Sequence, residues 1–347
     1  MKVLLCSLPV GSLRNTLTPL FPKKVKNDWL ENQPPLPGIL RINTWMEKNG
    51  YDADIYDILN LRPTDEELIE KLKRTKPTVV GLSATLSHCY PHLKRITKIL
   101  RKLFPDIWIV VGGHLTGSSN VVLRKTETDI CVIGDGEIPF VKLLDYFKLH
   151  PTRRQLDYTG LCQIKGVAFI NENNQLKVTG NAEQLSVSEI EYPDYNKLRV
   201  EIEKFSGNSE LFHDYFEPIK YDTYLVKLLQ RLLIYEKYKN KKIGTVFSSR
   251  GCVARCTFCQ RSTKGYRVYP KNVLETHIID LKEKFNIGVI YLNDENFGSD
   301  RKHAYEVARI MKKHDIFWSA GGVRCTSVTY EDLKFYKENN LYAMTFG

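Results

Sequence analysis

The chain lacks several features that would have narrowed its reading at once. No apolar run approaches a length of about 20 residues, the span of a helix crossing a bilayer, so no membrane span is expected. The opening "MKVLLCSLPVGS" turns polar too soon for a secretory signal, which makes a cytoplasmic location the expectation. No internal repeat marks a solenoid, and no low-complexity tract is long enough to imply disorder. No histidine precedes His88, so the stretch from Pro9 to Pro37 offers no imidazole to a metal. No fourth cysteine stands near Cys252, Cys256 and Cys259, which weighs against a structural zinc site built from two close pairs.

What is present is a chain of 347 residues, long enough for two domains with a core each. Its net charge of +11 permits nucleic acid or an anionic cofactor as a partner. The basic residues are scattered, however, and the densest run, "YEKYKNKK" at 235 to 242, reads equally as a solvated helix end, so nucleic acid is not favoured. The eight cysteines sit in a long chain, where a tight cluster points to metal or catalysis rather than to a disulfide framework. Cys6 and Cys131 lie in apolar runs and read as core.

Residues 1–150 alternate strand-like runs with amphipathic helices: "KVLLCSL", "GILRINTWMEKNG", "DADIYDIL", "DEELIEKLKRTK", "PTVVGLSA", "PHLKRITKILRKLF", "DIWIVVGG", a short helix near 118–126, "DICVIG" and "EIPFVKLLDYFKL". This pattern predicts an α/β domain with a doubly wound parallel sheet of flavodoxin-like strand order. A ligand of such a sheet lies at the carboxyl ends of its strands. Those ends carry Ser83 and Thr85 in "GLSAT", Gly112 and Gly113 in "VGGH", and Gly134 and Glu137 in "IGDGE". The glycines admit a bulky ligand to the backbone, or they serve ordinary strand-to-helix turns; both readings stand at this point.

Residues 151–243 read as a connector, with a hairpin in "IKGVAFINENNQLKVTG" and a charged helical stretch from 196 onward. From 244 the βα pattern returns. "IGTVFSSRG" reads as one strand, with the cysteines on the loop after it. "NVLETHIIDLKEKFN", "GVIYLNDEN", "KHAYEVARIMKKHD", "IFWSAGGV", "YEDLKFYKENN" and "YAMTFG" follow as alternating helices and strands. Active residues of a parallel βα array sit on loops at the strand carboxyl ends. Three thiols are too many for one disulfide, and a closed zinc site would need a distant fourth ligand such as Cys325 or a histidine; a 4Fe-4S cluster held by three thiolates would keep one iron open to another ligand.

The spacing Cys-x-x-x-Cys-x-x-Cys in "SRGCVARCTFCQ", with Phe258 just before the last cysteine, resembles the signature of radical S-adenosylmethionine enzymes. The ordered set "PPLPGILRINTWMEKNGYDADIYD", "VVGLSAT", "IVVGGHLTG" and "CVIGDGEIPFVKLL" resembles the cobalamin-binding domain that precedes the barrel in one class of that family. The resemblance implies a flavodoxin-like cobalamin-binding domain over 1–150 and a partial (βα)6 radical S-adenosylmethionine barrel over 244–347, truncated in the fourth strand. It implies three cofactors: a 4Fe-4S cluster on Cys252, Cys256 and Cys259, S-adenosylmethionine, and cobalamin. Ser83, Thr85, Gly112, Gly113, Gly134 and Glu137 become candidates for cobalamin. Phe258, Asp294, Asn296 and Arg324 become candidates for S-adenosylmethionine, Arg324 because guanidinium grips a carboxylate in a fork. Asp294, with Glu295 and Asn296, reads alternatively as a helix cap, and Arg324 as half of a surface ion pair.

Two departures qualify the resemblance. The family's Asp-x-His-x-x-Gly motif has no counterpart, so either the lower face of cobalt is without a protein histidine or cobalamin is absent. A Gly-x-Glu-Ser segment, frequent in the family near the fourth strand, is absent from "YAMTFG". The expected activity is methyl transfer to an unactivated carbon or to phosphorus, on a small-molecule or peptide substrate, with a one-electron reductant such as flavodoxin or ferredoxin. Rival expectations are a radical cyclase or rearrangement enzyme, an RNA-modifying radical enzyme, and a non-catalytic cobalamin or cluster sensor.

Overall fold

The computed structural model describes residues 1–9, 37–85, 87–208, 216–257, 259 and 263–347. The chain divides into two units, Met1–Leu185 with Pro193–Phe212, and Ser186–Tyr192 with His213–Gly347.

The first unit is built on β1 (Val3–Ser7), α1 (Pro37–Lys48), β2 (Ala53–Asp57), α2 (Ile58–Leu61), α3 (Asp65–Thr75), β3 (Val79–Ser83), α4 (Tyr90–Leu103), β4 (Trp108–Gly112), α5 (Ser119–Lys125), β5 (Ile130–Val132), α6 (Glu137–Leu149), α7 (Tyr158–Gln163), β6 (Val167–Ile170), β7 (Leu176–Val178) and α8 (Tyr195–Ser206). The strands form one sheet in the order β2-β1-β3-β4-β5-β6-β7, with β1 to β5 parallel. The order 2-1-3-4-5 is the flavodoxin-like one. Every residue of β1 is buried, because helices cover both faces of a parallel sheet and its strands need no polar side. Leu68, Leu72, Leu93, Ile96, Leu100 and Val122 from α3, α4 and α5 close one face over Leu4, Val80, Ile109 and Cys131. The capping box of Thr64 and Glu67 starts α3, and its acidic first turn and basic last turn suit the helix dipole.

The hairpin β6–β7, expected in a connector, instead extends this sheet, β6 pairing antiparallel with β5. Helix α8 also belongs to the first unit: Glu201 accepts the Ile55 amide on edge strand β2 at 2.9 Å, and Phe205 stacks on Tyr56. A strand edge covered in this way offers no template for wrong pairing. The segment 151–243 is therefore shared between the two units.

The second unit holds β8 (Glu217–Pro218), α9 (Thr223–Arg231), α10 (Tyr235–Tyr238), β9 (Lys242–Val246), β10 (Ser249–Gly251), β11 (Tyr266–Val268), α11 (Lys271–Phe285), β12 (Ile287–Leu292), α12 (Arg301–Lys313), β13 (Phe317–Val323), α13 (Tyr330–Glu338) and β14 (Leu341–Phe346). Its main sheet runs β14-β13-β12-β9-β8, parallel except for β8. Four parallel strands with helices between them make a partial βα barrel. Phe297, Trp318 and Tyr336 meet edge to face in one part of its core, while Ile219, Leu225 and Leu229 pack with Val289 and Phe317 in another. Among the described residues no helix is long and apolar enough to cross a membrane.

Candidate functional site

At the carboxyl edge of the first sheet, Ser7, Asp57, Ser83 and Gly112 fall in register on adjacent strands. Ser83 and Thr85 are half-buried there. A side chain on Gly112 would meet nothing within 4 Å, so the backbone of β4 opens onto free space at its end. Gly113 answers to a different constraint. Its φ is +92°, and a Cβ would lie 2.5 Å from the Ala84 carbonyl oxygen, so the chain itself demands glycine. Gly134 also has a positive φ, +90°. Glu137 opens α6, buried, with Arg41 Nε 3.7 Å from its carboxylate; a negative charge suits a helix N-terminus. His88 and His114 follow the ends of β3 and β4 and are both exposed. Nearly all of the loop from Pro9 to Pro37 lies outside the described residues.

Sequence reasoning missed the pair Ser7 and Asp57. Both are buried, the Ser7 hydroxyl donates to Asp57, and the Leu59 amide donates to Ser7 Oγ at 3.1 Å. Asp57 also caps α2. The signal was present in two strands ending on polar residues, but only their register makes them neighbours.

In the second unit the apolar run "IGTVFSSRG" is not one strand. It breaks after β9 and continues as β10, which pairs antiparallel with β11: Ser249 with Val268, Arg250 with Arg267, Gly251 with Tyr266. The cysteine loop springs from this pair. At its base Gly251 has a φ of +78°, and a Cβ there would stand 2.2 Å from the Gly265 carbonyl oxygen. Only glycine fits immediately before Cys252.

The break is made by Ser248. Its amide donates to Asp294 Oδ1 at 2.6 Å and its hydroxyl to Asp294 Oδ2 at 2.6 Å, while Ser249 Oγ donates to the same Oδ2 at 2.7 Å. The Ser248 carbonyl accepts from the Tyr269 amide at 2.9 Å and lies 2.9 Å from His303 Nε2. A carbonyl only accepts, so His303 carries its proton on Nε2. Burial holds the His303 imidazole below its ordinary range, and burial likewise raises the Asp294 carboxyl, against the hydrogen bonds from Ser248 and Ser249. Asp294, expected to touch S-adenosylmethionine, thus has both oxygens engaged inside the protein. Gly322 wedges the same segment: its Cβ would lie 2.4 Å from the Asp294 carbonyl oxygen.

Cys252 is half-buried, and Cys256 and Cys259 are exposed. The Cys259 amide donates to the Cys256 carbonyl at 3.2 Å. Cys252 Sγ accepts from the Ala254 amide at 3.3 Å and from Asn296 Nδ2 at 3.2 Å. Among the described residues no group of three donors converges on a single ion position. Each thiolate of a 4Fe-4S cluster binds its own iron, so the three sulfurs need not converge on one point; three soft thiols, two exposed and one half-buried, suit it. Arg324 is exposed at the end of β13, and among the described residues no carboxylate lies within ion-pair distance of it. Phe258 lies outside the described residues.

The fold is thus a flavodoxin-like doubly wound domain followed by a partial βα barrel. Residues 30–144 match the family model of the B12 binding domain. The chain is 22% identical over 333 residues to a cytidylyl-2-hydroxyethylphosphonate methyltransferase of Streptomyces wedmorensis, covering 89% of this chain and 60% of the relative. It is 24% identical over 314 residues to an uncharacterized methyltransferase of Pyrococcus horikoshii, covering 87% of this chain and 58% of the relative. The chain therefore spans less than two thirds of the length of either. Among solved structures, the cobalamin-dependent S-adenosylmethionine radical enzyme OxsB, with aqua-cobalamin and S-adenosylmethionine bound, superposes with a TM-score of 0.67 at 18% identity, over 100% of this chain and 43% of that one.

Proposed function

We propose that the protein is a cobalamin-dependent radical S-adenosylmethionine enzyme, a methyltransferase acting on an unactivated carbon or a phosphorus centre. The observation that carries the reading is the cysteine loop at the carboxyl edge of a parallel βα sheet, in a chain whose residues 30–144 match the B12 binding domain. The methyltransferases among its relatives support the reaction class. When bound, the cluster with S-adenosylmethionine would supply a carbon radical, and cobalamin a methyl group. The chain's part is to hold and shield these groups.

Cys252, Cys256 and Cys259 would hold the cluster, and Arg324 would take the carboxylate of S-adenosylmethionine. The open backbone at Gly112, with Ser83 and Thr85 beside it, would take cobalamin. The relative named for a phosphonate favours a small, phosphorus-bearing substrate over a peptide, and the charge of +11 suits an anion. A reductant of the flavodoxin or ferredoxin kind and a cytoplasmic location complete the reading, because a cluster open at one iron needs an electron donor and a reducing compartment.

Anaerobic reconstitution tests it. The wild-type chain is expected to take up about four irons and to cleave S-adenosylmethionine under strong reductant. Replacing Cys252, Cys256 and Cys259 together by alanine is expected to abolish both. Full iron uptake by the triple variant, or stoichiometric zinc with no iron in the wild type, would sink the assignment.

A further inference from the structure

Asn296 was expected at S-adenosylmethionine, but its amide is turned to another partner. The side chain is fully buried, Nδ2 lies 3.2 Å from Cys252 Sγ, and Oδ1 meets no donor among the described residues. A buried amide N–H is costly unless it meets a strong acceptor. A neutral thiol is a weak acceptor and returns little of that. A thiolate is an acceptor only, and a hydrogen bond to it is charge-assisted. The arrangement repays its cost when Cys252 is ionised, as it is when it ligates iron. Which amide atom faces the sulfur is ordinarily an assignment; a thiolate selects the nitrogen.

The neighbours of Asn296 leave it little freedom. Two residues before it, Asp294 is fastened by Ser248 and Ser249. One residue after it, Phe297 is buried against Trp318 and Tyr336. The donor is held from both sides, on a segment from β12 rather than on the cysteine loop itself. Cys252 is the half-buried member of the three, and it receives both this donor and the Ala254 amide.

We propose that Asn296 is a positioning residue for the cluster: its amide donates to the Cys252 thiolate and raises the reduction potential of the group that this thiolate holds. Adding one electron places negative charge on the thiolates, and a donor aimed at one of them stabilises that charge. The electron comes from an external one-electron reductant, and no bond to Asn296 forms or breaks. The proposal rests on the cluster reading above and assigns to Asn296 a role that does not involve S-adenosylmethionine.

The test is a redox titration of the reconstituted full chain, followed by electron paramagnetic resonance, with S-adenosylmethionine left out. Asn296→Leu removes the donor at similar volume, and Asn296→Ala removes it with a cavity. At a fixed potential both are expected to show a ratio of reduced to oxidised cluster lower than wild type by up to about tenfold, because the hydrogen bond is stronger to the more negative, reduced cluster and only that difference enters. Asn293→Leu, exposed on the same segment, is expected to leave the ratio unchanged. If the wild type takes up no iron, the cluster reading fails first. If it takes up iron and both Asn296 variants titrate as wild type, the cluster reading stands and this proposal falls. Changed affinity for S-adenosylmethionine with an unchanged titration would return Asn296 to that ligand. Loss of iron from both variants with secondary structure intact would make it a prop of the loop, and would also overturn the proposal.

Discussion

Two adjacent glycines close β4, and they separate folding from binding. Gly113 sits at φ +92° and ψ 177°, a region nearly confined to glycine, with its Cβ position against the Ala84 carbonyl. Gly113→Ala is expected to cost about 1–3 kcal/mol of stability from the backbone alone, and more from the clash, read as a lowered urea midpoint. At Gly112 a methyl group meets nothing. Gly112→Ala is expected to stay within about 0.5 kcal/mol of wild type, whereas Gly112→Trp should weaken hydroxocobalamin binding with the fold retained. Unchanged affinity in that variant would remove the β4 end from the cobalamin site. The sequence "VGGH" marks both positions as equally promising. Their difference arises from Ala84, about 30 residues earlier and brought alongside by sheet pairing.

At the scale of elements, the second unit carries two histidines that its fold keeps neutral. His277 on α11 lies flat on Tyr192, ring centroids 3.9 Å apart, and burial pushes it down to about 3. His303 on α12 is lowered by burial as well. An unfolded chain protonates histidine near 6.5. The native state therefore refuses protons that the unfolded state accepts, and stability present above about pH 6.5 is lost as the pH falls toward 3. Between pH 7 and pH 5 His277 alone is expected to cost about 2 kcal/mol. Urea titrations at the two pH values should show His277→Phe losing correspondingly less than wild type; equal losses would contradict the linkage.

The elements themselves were largely legible. The apolar spacing of "KHAYEVARIMKKHD" gives α12 close to its observed bounds, and the β-branched run of "GVIYLNDEN" gives the start of β12, but the strand stops at Leu292, short of Asn296. Two features were not. The break between β9 and β10 depends on Asp294 gripping Ser248 from 46 residues away, which no local pattern reveals. The hairpin β6–β7 has the right form in sequence, but its partner β5 is chosen by the sheet.

Across the whole molecule, the eight cysteines fall into three environments. Cys6, Cys89 and Cys131 are buried; Cys252 is half-buried; Cys162, Cys256, Cys259 and Cys325 are exposed. Burial pushes the Cys6 and Cys131 thiols up, away from the reactive thiolate. With iodoacetamide, the metal-free native chain is expected to be alkylated first at the four exposed positions, then at Cys252, and at the three buried ones only on unfolding, as read by mass spectrometry. Reconstitution with iron should protect Cys252, Cys256 and Cys259 and leave Cys162 and Cys325 open. The accessible cysteine loop then has a chemical cost. Before it is filled, oxygen and peroxide compete with iron for the same sulfurs, and Cys256 and Cys259 stand at the foot of the ladder from sulfenic to sulfonic acid. A chain oxidised there would keep its fold and lose its capacity for iron, so the age of a preparation in air would limit its cluster content more than its thermal stability does.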